Sequence, residues 1–332
     1  MKMQDQKDVI LRFFPASLRS PWENSNLQWS EIEEIRIRVN QPVIIRRRNK
    51  EYAIRKNGTA VEMKTIKEKN TYVIYCEREL EEIVRHLCRD SVYAYEEERR
   101  QGFMTMPGGH RIGITGELTT VGNHIYIAKY IRYMNIRIAH EIKGISNGIM
   151  NWLVDDTHIR NTLIASAPGA GKTTLLRDIV RSFSDGGKEY RGGTVGVIDE
   201  RGEIAGAYRG IASLDCGMRT DLITGGEKAQ GARILIRTFS PSVIAMDEIG
   251  TRADAEAIFY AGISGCSVLA TIHAGCWRDL EKKTEISSLM KDQIFKRILF
   301  LHMENDGTRR VEIWNEEGIC LCGEKLLQEC LS

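Results

Sequence analysis

The sequence predicts an α/β protein in two parts. These are a smaller α+β domain over residues 1–145 and a phosphate-loop domain with a parallel sheet over residues 146–332. Three observations carry this. Residues 162–179, TLIASAPGAGKTTLLRDI, read as a strand, a tight loop ending in Gly-Lys-Thr, and a helix start. Downstream of it, apolar runs of strand length alternate with helical stretches. Upstream, short segments alternate apolar and charged residues with period 2, broken by Pro and Gly, as antiparallel hairpins do.

Composition sets the outer bounds. At 332 residues there is chain enough for two domains, and 42% hydrophobic with 28% charged residues is ordinary for a soluble globular protein. The net charge of +2 gives no case for a nucleic-acid partner. No run of eighteen apolar residues predicts a membrane span. The N-terminal MKMQDQKDVILRFF has too short and too charged an apolar stretch for a signal peptide, so a cytosolic protein is expected. Its eight cysteines are expected to stay reduced, and Cys320 and Cys322 stand too close for a zinc knuckle.

In chain order, residues 5–20 read as an amphipathic helix with Val9, Ile10, Phe13 and Phe14 on one side. Glu33 to Val39 reads as a half-buried strand. Pro42 to Arg46 and Glu51 to Ile54 form an expected hairpin, with Arg46 to Arg48 as a solvated, charged edge. Glu77 to Cys88 has helical spacing in Leu80, Ile83, Val84 and Leu87. Tyr93 to Arg100 is a highly charged connection. Gly102 to Gly116 is a hairpin turning at Pro107-Gly-Gly109, and the strand pattern continues through Ile125–Ala128 and Ile136–Ala139. A short helix, Met150 to Val154, leads into the second part. There, strands at Thr194–Ile198, Val243–Met246 and Ser267–Ile272 each end in polar residues, at the edge where ligands sit in open α/β sheets. Ile298 to Met303 and Val311 to Asn315 make a terminal hairpin across Asp306-Gly307.

The loop Ser166, Ala167, Pro168, Gly169, Ala170, Gly171, Lys172, Thr173 and Thr174 is the expected nucleotide cradle. Backbone N–H groups and the following helix N-terminus attract phosphate, Lys172 reaches the β- and γ-phosphates, and the Thr173 hydroxyl holds magnesium. Ser166 stands where the usual pattern has its first glycine. Asp247 and Glu248 close an apolar strand about 75 residues further on. Asp247 suits the metal, through coordinated water, and Glu248 suits orienting the attacking water. Asp199 and Glu200 open a second acidic cluster that either orients water or forms a salt-bridged loop with Arg201. His273 ends its strand, where it can sense the γ-phosphate. Arg219, Arg233 and Arg237, with Arg132 and Arg137 from the first part, are candidates for a stabilising charge. The residues leave open which one acts.

These residues resemble the secretion-ATPase branch of the RecA-like P-loop NTPases, which drives type II and type IV secretion and pilus motors. Asp199 to Glu203 matches that branch's acidic box. Arg237 to Ile249 matches its segment leading into Walker B, and Ala270 to Ala274 its Thr-x-His box. The stage III sporulation protein AA family is closer. Tyr93 to Glu98, Pro107 to Ile114, Asn135 to Ala139, Ser166 to Asp178 and Ile198 to Gly206 all look like that family.

The resemblance implies a RecA-like ATPase domain after a smaller N-terminal domain, with ATP and Mg2+ as ligands. It implies a homo-oligomer, a hexamer with nucleotide at subunit edges. It places the protein in the mother cell at the membrane facing the forespore, powering a secretion-like channel of membrane-embedded partners. The leading expectation is thus a mechanochemical ATPase. The alternative is a nucleotide-binding regulator or assembly scaffold with little turnover. A nucleic-acid translocase is disfavoured, since no basic–aromatic platform stands out.

Overall fold

The computed structural model describes residues 3–48, 50–63, 68–88, 103–121, 124–304 and 307–327. The charged connection 93–100 lies outside the described residues. The chain divides into two compact units, Met1–His140 and Glu141–Ser332.

The first unit is built on one antiparallel sheet. Its strands are β1 (Ile32–Arg38), β2 (Ile44–Arg47), β3 (Lys50–Ile54), β4 (Ala60–Glu62), β5 (Phe103–Met106), β6 (His110–Val121) and β7 (His124–Arg137). They lie in the order β4-β3-β2-β1-β7-β6-β5. Period-2 alternation buries Ile35 and Ile37 of β1, Ile112 and Ile114 of β6, and Met134 and Ile136 of β7. Among the described residues, helices α1 (Met3–Leu11), α2 (Ser20–Glu23) and α3 (Glu77–Leu87) accompany the sheet, and α3 buries the predicted Leu80, Ile83, Val84 and Leu87.

The single helix expected over 5–20 is not formed. It stops at Leu11, and two short turns follow. Pro15 is the cause, because the residue before a proline is pushed out of the helical region. Phe14 leaves the helix and stacks on Trp22 at 4.5 Å, and the Trp22 indole N–H donates to Tyr75 Oη at 2.7 Å.

The second unit is a doubly covered sheet of eight strands. After the short helix α4 (Met150–Leu153) and a two-stranded ribbon, β8 (Val154–Asp155) and β9 (His158–Ile159), come β10 (Thr162–Ser166), β11 (Val195–Asp199), β12 (Thr220–Thr224), β13 (Val243–Met246), β14 (Ser267–His273) and β15 (Arg297–Met303). These six run parallel, in the order β12-β11-β13-β14-β10-β15. β16 (Arg309–Trp314) and β17 (Cys320–Leu326) extend the sheet antiparallel beyond β15. The expected terminal hairpin is therefore β15 and β16, with β15 also a parallel partner of β10. β12 and β17 were not anticipated from the sequence.

The core strands are continuous apolar runs because both of their faces are covered. Ile164, Val243, Ala245, Leu299 and Leu301 pack with α5 (Lys172–Asp185). Their neighbours Leu163, Ala165, Ile244, Met246, Ile298 and Phe300 pack on the other side with α6 (Lys228–Phe239) and α7 (Arg252–Ile263). Two short helices, α8 (Trp277–Glu281) and α9 (Ser287–Lys291), follow β14. Asp178 of α5 is fully buried. Its carboxylate accepts from the backbone N–H of Gly144 at 2.9 Å and of Ser146 at 2.8 Å, and from the Ser146 hydroxyl at 2.7 Å. Among the described residues no helix is long and apolar enough to cross a membrane.

His110, at the start of β6, is 1% exposed and accepts the Ala139 N–H at Nδ1, 3.1 Å away. Burial, with His140 nearby, pushes its pKa down from 6.5 to about 4. The unfolded chain therefore takes up a proton at higher pH than the folded one. Stability contributed by the neutral ring is complete above about pH 6.5, falls as the pH drops, and is gone below about pH 4. A loss of about 3 kcal/mol across that window is expected. Hydrogen-exchange protection of β6 and β7 measured from pH 7 to pH 4 should show it, and His110→Gln should flatten that dependence.

Candidate nucleotide site

β10 ends at Ser166, which keeps extended strand pairing opposite His273 of β14 and Leu301 of β15. Serine is accommodated here because the position is still strand, and its buried hydroxyl donates to the Ala167 carbonyl at 2.7 Å. The loop then turns through Gly169 at φ +79° and Gly171 at φ +105°, backbone that only glycine adopts without strain. Ala167, Pro168 and Gly169 are exposed, whereas Ala170 is buried. Arg309 of β16 lies against the loop, its Nε donating to the Ala170 carbonyl at 3.2 Å. Lys172, Thr173 and Thr174 form the first turn of α5, so their backbone N–H groups face the loop mouth without intrahelical acceptors.

Six side chains, from two strand ends and the helix, meet at this mouth. The Thr173 hydroxyl donates to Asp247 Oδ2 at 2.5 Å. Asp247 also accepts from the Thr271 hydroxyl. Lys172 Nζ donates to His273 Nδ1 at 3.0 Å. An ammonium has only protons to give, so Nδ1 is the acceptor and Nε2 carries the hydrogen. That Nε2 faces Glu248 Oε1 at 3.3 Å. Burial pushes the Lys172 amine below the usual lysine range, with Asp247 and Glu248 drawing it back up. A cation held partly desolvated beside two carboxylates gains from meeting a phosphate. Thr173 and Asp247 offer hard oxygen ligands, the kind magnesium takes in ones and twos beside phosphate oxygens.

The acidic cluster resolves into different jobs. Asp199 is 1% exposed, and its carboxylate accepts from the N–H groups of Glu203 at 2.8 Å, Ile204 at 3.1 Å and Ala205 at 2.8 Å. Burial holds its carboxyl above the usual range in spite of these donors. Both of its oxygens accept from the backbone of the loop that follows, so this half of the acidic cluster shapes that loop. Arg177 of α5 fixes the same loop, donating to the Glu203 carbonyl at 2.9 Å and to that of Ile204. Glu200 faces outward and accepts from Lys228 Nζ at 2.9 Å. Lys228 also lies 3.5 Å from Asp254 and donates to the Glu248 carbonyl at 3.3 Å. Arg201 pairs with Glu248 Oε2.

The arginine candidates fall elsewhere. Arg219 donates to the Ser184 and Asp185 carbonyls at the end of α5, where its charge complements the helix dipole. Arg233 and Arg237 are exposed on α6, and Arg237 lies in its last turn, at the sheet edge opposite the phosphate loop. Arg132 and Arg137 stand on β7 of the first unit, and Arg132 pairs with Glu77 at 2.6 Å. Arg177, Lys228, Asp254 and Thr271 had not been singled out. Only Asp254 carried a local signal, the Thr251-x-x-Asp254 capping box that opens α7.

The chain belongs to the stage III sporulation protein AA family. The sequence profile of "Sporulation stage III, protein AA" matches residues 4–321. Stage III sporulation protein AA of Bacillus subtilis (strain 168) is 34% identical over 322 residues, covering 97% of this chain and 99% of that one. Among solved structures, the ATPase DotB of Yersinia pseudotuberculosis superposes with a TM-score of 0.56 at 13% identity, over 95% of this chain and 80% of that one. The DotB ATPase of Legionella pneumophila gives 0.51 at 14% identity, over 86% and 77%. The pilus retraction motor PilT, solved with bound ADP, gives 0.54 at 12% identity, over 85% and 78%. At such identities the likeness is one of fold.

Asp199→Ala strands three N–H donors, two buried and one part-buried. It is expected to lower the unfolding free energy of the chain by about 3 kcal/mol, read by urea denaturation.

Proposed function

We propose that this chain is an ATPase that hydrolyses ATP to power a secretion-like channel, or its assembly, during endospore formation. One observation carries the reading. The glycine-turned loop presents Thr173 to Asp247 and Lys172 to His273, whose far nitrogen faces Glu248, all at the carboxyl ends of parallel strands. Family membership supports the setting in sporulation, and the fold shared with DotB and PilT supports a motor.

In this reading the loop N–H groups and Lys172 hold the β- and γ-phosphates. Thr173 and Asp247 would hold magnesium, which when bound would supply charge neutralisation for the phosphate oxygens. Glu248 orients the attacking water and takes up its proton. Once Lys172 turns to phosphate, His273 Nδ1 loses its donor, so the ring registers whether the γ-phosphate is present. Glu200 acts through Lys228, which ties the acidic loop to the backbone of Glu248. Arg132 or Arg137 of a neighbouring copy supplies charge to the transferring phosphoryl group, within a homo-oligomer taken to be a hexamer. The protein acts in the mother cell, at the membrane around the forespore, with membrane-embedded partners.

Magnesium-dependent ATP hydrolysis, measured over a range of protein concentrations, tests this. Turnover per chain should rise with concentration and vanish in Lys172→Ala. Glu248→Gln should keep nucleotide binding while lowering kcat by about 100-fold or more. Binding without Lys172-dependent turnover, in any oligomeric state or with membrane partners, would turn the reading to a scaffold.

A further inference from the structure

Glu248 is a non-glycine residue held at φ +50°, a backbone conformation that persists only where its surroundings fix it. They do. Its N–H donates to Asp247 Oδ1 at 3.1 Å and to the Thr271 hydroxyl at 2.9 Å, and its carbonyl accepts from Lys228 at 3.3 Å. The main chain is therefore seated without help from the carboxylate.

The carboxylate is engaged at both ends. Oε1 faces His273, and Oε2 accepts from Arg201 Nη1. The loop that bears Arg201 is as firmly built as the seat of Glu248. Asp199 grips it with three hydrogen bonds, and Arg177 braces it from α5. Between two fixed backbones, the movable parts are the Arg201 guanidinium, 59% exposed, and the carboxylate it touches, 30% exposed.

We propose that Arg201 restrains Glu248. The pair keeps one carboxylate oxygen turned to a guanidinium rather than to a water, and it has to open before Glu248 acts. Arg201 is thus a positioning residue whose resting contact lowers basal turnover. This rests on the ATPase reading above. An ion pair this exposed is weak, so it restrains without locking, and its removal changes rates by a small factor.

The test uses the full chain and measures magnesium-dependent ATP hydrolysis from limiting to saturating ATP. It compares wild type, Arg201→Ala, Arg201→Lys and Lys172→Ala. The expected result is a rise in kcat of about two- to five-fold in Arg201→Ala with KM unmoved. Arg201→Lys, which keeps the charge, should stay nearer to wild type. Lys172-dependent hydrolysis that is unchanged or slower in Arg201→Ala overturns the inference and leaves the ATPase reading standing; a fall would make Arg201 a contributor to the reaction. A rise in KM without a rise in kcat also overturns it, since that is loss of binding. Hydrolysis absent from wild type and from Arg201→Ala alike removes both.

Discussion

Burial of both faces of the parallel sheet governs the second unit. A strand packed on two sides has almost no room for polar groups, so between their first and last residues β10, β13 and β14 are apolar but for Thr271. Chemistry is pushed to the strand ends, and parallel strands put those ends side by side. Ser166, Asp247, Glu248 and His273 become neighbours because three apolar strands stop at the same edge. Thr271 is the exception that serves the rule. It is a fully buried polar group, and its hydroxyl is spent on Asp247 and on the N–H of Glu248.

That edge is crowded with opposite charge. Lys172, Lys228 and Arg201 stand among Asp247, Glu248, Glu200 and Asp254, with Arg201 paired to Glu248 and Lys228 to both Glu200 and Asp254. Such an arrangement holds its shape with few apolar contacts. A highly charged newcomer has only to exchange partners and need not create them.

The sequence made this edge legible where a signal was local. An apolar run ending in acids, or a Gly-Lys-Thr turn between strand and helix, names its own position, so the cradle from Ser166 to Thr174 and the trio Asp247, Glu248 and His273 were readable. Arg177 and Lys228 were not, and Arg201 was legible as a member of a salt-bridged loop but not as the partner of Glu248. Their partners are brought to them by the order of strands in the sheet, and no period of 2 or 3.6 encodes that. Asp199 stayed open between two readings for a related reason: an acid at a strand end looks alike whether its oxygens face water or three backbone N–H groups. In the first unit the hairpins were readable from alternation and Pro-Gly punctuation. The helix over 5–20 was overextended because its apolar spacing runs on past Pro15. β12, half-exposed at the sheet edge, carries too weak an apolar pattern to be seen.

Asp178 has a mechanical meaning. The chain enters the second unit through Gly144 and Ser146, and both are bolted to a buried carboxylate on the helix that begins at Lys172. The opening residues of the second unit are thus riveted to the helix that carries Lys172 and Thr173, and a shift of that helix would carry them with it.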